Sequence, residues 1–293
     1  MTALARHAPA TAADAAEIIR ESAAAGRVLR LVGAGTWLEA GHPVRADAEL
    51  TTAHCAGIRS YRPEDLTLSA GAGTTLAELE AATRPHGQWC PLLPWGDDRG
   101  TLGATIATAT SGPFAGRLGR PRNLVLGLEC VDGTGRVVAA GGRVVKNVAG
   151  FDLTRAVTGS WGTLALITQV HLRLRARPVV DESWMVRLGA ESTAAMQAFA
   201  QGPLAPLACF DAGDGLWYVR IGGNRASVAA AVDALQRLGA ASPCDPSIWG
   251  ELRRTHAPAD RTSQWRWDAL SLRLRERFDP AGVLNRGLLG GPA

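Results

Sequence analysis

The chain has 293 residues, 46% hydrophobic and 20% charged, enough to bury a sizeable core as one large domain or two modest ones. Its 31 basic and 27 acidic residues give a net charge of +4 without any block of like charge interleaved with aromatics, which argues against nucleic-acid binding. No apolar stretch approaches the roughly 20 residues that cross a bilayer, and the opening "MTALARHAPATAAD" lacks the hydrophobic core of a signal peptide, so a cytoplasmic location is expected.

The cysteines, Cys55, Cys90, Cys130, Cys209 and Cys244, stand far apart with no C-x-x-C, and the histidines are equally scattered. That spacing provides neither an iron–sulfur cluster nor a paired-imidazole metal site, so no metal is expected. Lys146 is the sole lysine in a chain otherwise basic through arginine. A lysine kept in such a background either marks a place where a planar guanidinium does not fit or survives by chance, and composition leaves both open.

In chain order, Thr11 and Asp14 form a capping box ahead of "AAEIIRESAAAG", which predicts a first helix ended by Gly26. Short β-rich runs follow at "RVLRLVG", "AELTTAH" and "DLTLSAG". A second capping box, Thr75 with Glu78, opens a helix through "LAELEAATRPHG" that Pro85 and Gly87 stop. "PLLPWGDDRG" is a turn-rich connector, and "TLGATIATATSGP" starts on a cap residue and carries mostly small side chains, which implies close backbone approach.

"NLVLGLECVDGTGRVVAAGG" reads as a β-hairpin turning at Asp132-Gly133-Thr134-Gly135. After a turn-and-helix unit, "RVVKNVAGFDLTRAVTGSWG", comes a long strand, "TLALITQVHLRLRARP", closed by Pro178. From Val179 the texture changes to alternating strands and helices of a small antiparallel α+β unit. The end, "WRWDALSLRLRERFDPAGVLNRGLLGG", reads as an amphipathic helix stopped at Asp279-Pro280 and an apolar tail expected to dock on the first domain.

"VGAGTW", residues 32–37, looks like the start of a dinucleotide fingerprint, but Leu38 stands where the third glycine of G-x-G-x-x-G belongs. A Rossmann fold is therefore rejected. Gly33 and Gly35 can still turn the chain so that several amide N–H groups face one anion, as a pyrophosphate needs. "GAGT" recurs at 71–74 before a plain capped helix, and this second copy is read as structural.

Three segments, "VGAGTWLEAG", "GTLGATIATATSGP" and "GSWGTLALIT", are small or glycine-rich where a strand meets a turn or helix, and together can line one groove for a flat cofactor. Their order, with "GGRVVKNVAGFDLTRAVTGSWGTLALITQVHLRLRARP" and "RFDPAGVLNRG", closely resembles the FAD-binding E subunits of glycolate oxidase in the vanillyl-alcohol-oxidase superfamily. The resemblance covers about 28–177 and resumes over about 267–287. It implies an α+β, PCMH-type FAD-binding domain over 1–178, a short α+β cap-like domain over 179–266, and a segment over 267–293 that returns to the FAD domain.

Carried over by position, the resemblance implies that Gly33, Ala34, Gly35, Thr36 and Trp37 wrap the pyrophosphate. It further implies that Thr101, Leu102, Gly103, Thr108, Ser111 and Gly112 lie along the flavin and ribityl chain, with Gly162 and Ile167 at the other end and Asn285 in the returning tail. Lys146 falls at the family's lysine position, either as a cation beside the reduced flavin or in a salt bridge to Asp152. Trp37 follows "GAGT" where covalently flavinylated relatives place histidine, which implies noncovalent FAD; Trp161, Ala165 and Arg286 also depart from the pattern. The implied role is electron transfer in a glycolate (2-hydroxy-acid) oxidase or dehydrogenase, with a catalytic D subunit and an iron–sulfur F subunit as partners and membrane contact only through them. The alternatives are a flavin-fold scaffold with an empty pocket, or an independent small FAD oxidoreductase.

Overall fold

The structure is a computed structural model that describes residues 4–96, 98–142, 153–189, 192–255, 265 and 267–290. Its first layer is a small parallel sheet of β1 (Ala5–His7), β2 (Leu29–Val32) and β3 (Ala48–Thr51), in the order β1-β3-β2. Helix α1 (Ala12–Ala24) is held at its start by the reciprocal Thr11–Asp14 box, each backbone N–H donating to the other's side chain at 3.1 Å. Its apolar face, Ala15, Ala16 and Ile19, packs on Leu29, Ala48 and Leu50, all at most 4% exposed.

The second layer is an antiparallel sheet in the order β4-β5-β9-β7-β8. It contains β4 (Ile58–Arg62), β5 (Thr67–Gly71), β7 (Val125–Asp132), β8 (Val137–Gly141) and the long β9 (Ala165–Arg173). Between β5 and β7 the chain forms α2 (Leu76–Thr83), the short strand β6 (Gln88–Trp89), α3 (Leu102–Thr108), α4 (Ala115–Leu118) and α5 (Pro121–Leu124). α6 (Leu153–Val157) precedes β9, and β10 (Arg175–Ala176) pairs back onto β6. The main core lies between this sheet and α2, α3 and α6, with Leu79, Leu102, Ile106 and Val157 fully buried.

The β7–β8 hairpin turns at the residues its sequence predicts. The Asp132 carboxylate accepts from the Thr134 and Arg136 N–H groups at 2.9 and 3.0 Å, and Gly135 supplies the left-handed backbone at φ +74°. The second "GAGT" copy is packing: a Cβ on Gly71 or Gly73 would sit 2.2 or 2.0 Å from the carbonyls of Cys55 and Thr52.

Beyond Pro178 the chain forms an antiparallel sheet ordered β12-β13-β11-β14, from β11 (Val180–Arg187), β12 (Ala208–Gly213), β13 (Leu216–Gly223) and β14 (Ala240–Pro243). α7 (Thr193–Gln201) and α8 (Arg225–Leu238) cover one face through Met196, Val228, Ala231 and Leu235. α9 (Ile248–Thr255) joins this unit to the first, a helix that the sequence reading leaves out. Trp249 meets Phe114, whose ring meets Trp89, at centroid distances of 5.4 and 6.4 Å. Arg253, 5% exposed, donates to the Pro94 carbonyl at 2.7 Å and to Asp98 at 2.6 Å, tying α9 to the 91–100 connector.

α10 (Ala269–Phe278) stops at Asp279 as expected, and its half-buried positions, Ser271, Leu272, Leu274, Arg275 and Phe278, recur at helical spacing, although none of its residues is fully buried. Burial resumes beyond it: Val283, Leu284, Leu288 and Leu289 are each at most 8% exposed, and Leu284 bridges in parallel to Leu29 along the free edge of β2.

Candidate functional site

A partly open cleft with about 110 Å³ of free volume lies where β2, α3, the start of β9 and the C-terminal tail meet. That free volume is below the roughly 300–1,000 Å³ typical of small-molecule sites. The loop after β2 forms one wall. There the N–H groups of Ala34, Gly35 and Thr36 have no protein partner among the described residues. Gly35 turns the chain at φ +77°, and Gly33 lets the loop lie on α3, since a Cβ there would stand 2.4 Å from Thr101 Oγ1.

α3 forms the floor with the small residues Gly103, Ala104 and Ala107. Its first N–H groups are already used: Leu102 donates to the Thr74 carbonyl at 2.8 Å, Gly103 to Ala72 at 2.7 Å, and Ala104 to Thr101 Oγ1 at 3.4 Å. The donors available for an anion are therefore those of the 33–37 loop, not those of the helix end.

The opposite wall is the turn into β9. Trp161 occupies the left-handed region at φ +55°, a conformation that costs roughly 1–2 kcal/mol for a residue with a Cβ. Both sides of it are pinned, with its N–H donating to the Ala107 carbonyl and its carbonyl accepting from Asn285 Nδ2, each at 2.8 Å. Asn285 Oδ1 accepts in turn from the Leu31 N–H at 2.8 Å, so one tail side chain ties β2 to the 161–162 turn. Gly162 is packed against this clamp, where a Cβ would stand 2.8 Å from Asn285 Nδ2. The Trp161 indole meets Trp37 edge to face within the cleft, their centroids 6.1 Å apart.

The tail that delivers Asn285 is set by Asp279, 2% exposed, whose carboxylate accepts from the Val283 and Leu284 N–H groups at 2.9 Å each. Burial holds its pKa above the usual 3.8, and those two N–H groups offset the shift only in part.

Two polar features of the lining are absent from the sequence reading. Arg30 is the one charged side chain among the described residues of the lining, and its Nη2 donates to the Leu38 carbonyl at the far end of the loop. Thr52, 5% exposed, also lines the cleft, and its Oγ1 is buried with no hydrogen-bond partner among the described residues. A signal for the first existed in the sequence as a lone charge inside the apolar run "RVLRLVG".

Of the residues picked from the sequence, Gly33, Gly35, Thr36, Trp37, Gly103 and Thr108 line this cleft, as do Gly162, Ile167 and Asn285. Ala34 is exposed on the loop, Thr101 caps α3, and Leu102 is fully buried in the core. Ser111 and Gly112 lie outside the cleft under the connector: the Trp95 N–H donates to the Ser111 carbonyl at 3.3 Å, and a Cβ on Gly112 would meet the Leu93 carbonyl at 1.9 Å. Lys146 and Asp152 lie outside the described residues.

Unspent loop amides, one guanidinium and an orphaned hydroxyl around an otherwise apolar, small-residue cleft fit a flat dinucleotide with a diphosphate. Comparison with known proteins agrees. Residues 3–141 match the family described as FAD binding domain. Glycolate oxidase subunit GlcE of Escherichia coli is 33% identical over 225 residues, covering 74% of this chain and 61% of that protein. D-lactate dehydrogenase of Archaeoglobus fulgidus is 43% identical over 104 residues, covering 36% of this chain and 23% of that protein. The chain thus spans less than two thirds of the length of either relative. A solved structure of alkyldihydroxyacetonephosphate synthase shares the fold, with a TM-score of 0.70 over 85% of this chain and 55% of that one at 16% identity. The chain thus carries, over the matched residues, an FAD-binding domain of the PCMH type and is similar there to FAD-dependent oxidoreductases.

Proposed function

We propose that this chain is the FAD-holding, E-type component of a glycolate-oxidase-like assembly that oxidises a 2-hydroxy acid. Residues 1–178, with the returning segment 267–293, hold the cofactor, and 179–266 form a short cap-like unit. The observation that carries this reading is the convergence, in one open cleft, of the Gly35 and Thr36 amides with the Thr52 hydroxyl, all without a hydrogen-bond partner among the described residues. Bound FAD supplies two-electron redox chemistry.

The chain's own residues position that cofactor. The 33–37 loop receives the diphosphate, Gly103, Ala104 and Ala107 leave room beside the backbone, and Asn285 fixes the separation of the two walls. No histidine or cysteine is among the described residues of the lining, which supports noncovalent attachment. Lys146, at the family's lysine position, is the candidate cation for the reduced flavin.

The short 179–266 segment carries a single histidine, His256, rather than a histidine-rich metal site, which supports placing oxidation of the hydroxy acid on a D-type partner. The dispersed cysteines offer no cluster ligands, so onward electron transfer is assigned to an iron–sulfur F-type partner. No helix of the described residues is long and apolar enough to cross a membrane, and any membrane contact is assigned to those partners.

One observation favours a second reading as a flavin-free scaffold: Trp37 and Trp161 touch inside the cleft and narrow it. The purified chain separates these readings. Flavin absorption that is released as free FAD on heat denaturation supports the proposal, whereas colourless protein that cannot be loaded with FAD supports the scaffold. Bleaching of the bound flavin by glycolate with this chain alone refutes the division of labour.

A further inference from the structure

A diphosphate is a dianion, and among the described residues the cleft presents it with one formal positive charge. Arg30, half-buried on β2, lines the cleft and spends one donor on the Leu38 carbonyl, which holds the guanidinium against the loop that carries the unpaired amides. A guanidinium has five N–H donors, so four remain. Its register partner on β3, Glu49, instead pairs with Arg6 at 3.8 Å. Thr52 follows β3 directly; its own N–H donates to the Val32 carbonyl at 3.1 Å, and its buried Oγ1 has no hydrogen-bond partner among the described residues. A buried, unsatisfied hydroxyl costs roughly 1–3 kcal/mol unless something bonds to it.

We propose that Arg30 and Thr52 are the two side-chain anchors of the cofactor in this cleft: the Arg30 guanidinium as the charge partner of its diphosphate, and the Thr52 hydroxyl as a hydrogen-bonding group that FAD satisfies. The proposal rests on the FAD reading above. It assigns the diphosphate's charge to a residue that also braces the loop, so cradle and cation are preorganised together. Both residues are positioning residues for the cofactor.

The test uses flavin-free full-length chain, titrated with FAD and, in competition, with ADP and adenosine. Arg30→Met is expected to weaken FAD and ADP about ten- to a hundredfold, the range of one charge-assisted hydrogen bond, with adenosine almost unchanged. Wild-type affinity falls as salt rises from about 0.05 to 0.5 M, and that dependence is lost in the variant. If Arg30 only braced the loop, adenosine would weaken as much as ADP and the salt dependence would survive; that result overturns the assignment. Thr52→Val is expected to weaken FAD about tenfold, while leaving the flavin-free protein as stable or more stable in urea, because the orphan is gone. Unchanged FAD affinity overturns the role of Thr52. A wild-type chain that binds no FAD overturns the functional reading itself, an outcome distinct from a wild type and a variant that bind equally well.

Discussion

Replacing Asn285 with alanine removes both halves of the clamp across the cleft. The Leu31 N–H and the Trp161 carbonyl each lose a 2.8 Å hydrogen bond at a residue that is 5% exposed. An unsatisfied buried backbone group costs roughly 1–3 kcal/mol, so the pair costs about 2–4 kcal/mol after partial access of water. Asn285 also sits at φ +44°, where alanine adds about 1 kcal/mol that asparagine largely avoids. The expected loss is therefore about 3–5 kcal/mol, a large share of a stability of roughly 5–15 kcal/mol. Equilibrium urea denaturation of the flavin-free chain measures it. Asn285→Asp keeps the acceptor for Leu31 but turns a carboxylate oxygen toward the Trp161 carbonyl at a buried position, and at neutral pH should lose at least as much. Trp161 would then be free to leave its strained backbone, so both variants should bind FAD more weakly than wild type. A loss below about 0.5 kcal/mol for Asn285→Ala, the scatter of ordinary surface substitutions, would refute the clamp.

Two further expectations follow from titrating groups. Burial raises the Asp279 carboxyl above 3.8 in the folded chain, so the folded state binds its proton more readily than the unfolded one. The stabilising contribution is thus complete below the unfolded value and is lost as pH rises through the folded value; Asp279→Asn should remove this fall in urea midpoint above about pH 4. An identical pH profile in the variant contradicts it. Burial also pushes the Cys90, Cys130 and Cys209 thiols up to about 12, so native protein at mildly alkaline pH should resist iodoacetamide at all three and react fully once unfolded. Mass spectrometry of native, alkylated chain with label on Cys90 would contradict the packing.

The elements most legible in the sequence are those fixed by neighbours in the chain. The Thr11–Asp14 and Thr75–Glu78 boxes and the Asp132 hairpin turn appear as read, because each is closed by hydrogen bonds spanning three or four residues. β1 escaped notice because Ala5–His7 becomes a strand only by pairing with residues 48–50. α9 had a signal in the spacing of Ile248, Trp249 and Leu252, although the length and caps around it were weak. Small residues did not separate cofactor room from packing room: Gly33, Gly35 and Gly103 line the cleft, while Gly112 serves the close approach of Leu93. The family resemblance brought out the PCMH fold that periodicity alone left as α+β. The left-handed backbone of Trp161 and the orphaned Thr52 hydroxyl arise from tertiary contacts, so no local pattern announces them.

The central claim is that the cleft between β2 and the 161–167 segment holds FAD, and fluorescence titration of flavin-free chain with FAD tests it most directly. Saturation at one FAD per chain, abolished by Gly35→Arg while the urea midpoint shifts only by the strain of a side chain at φ +77°, is the predicted result. Undiminished FAD binding in Gly35→Arg, or no saturable binding in the wild type, would contradict it.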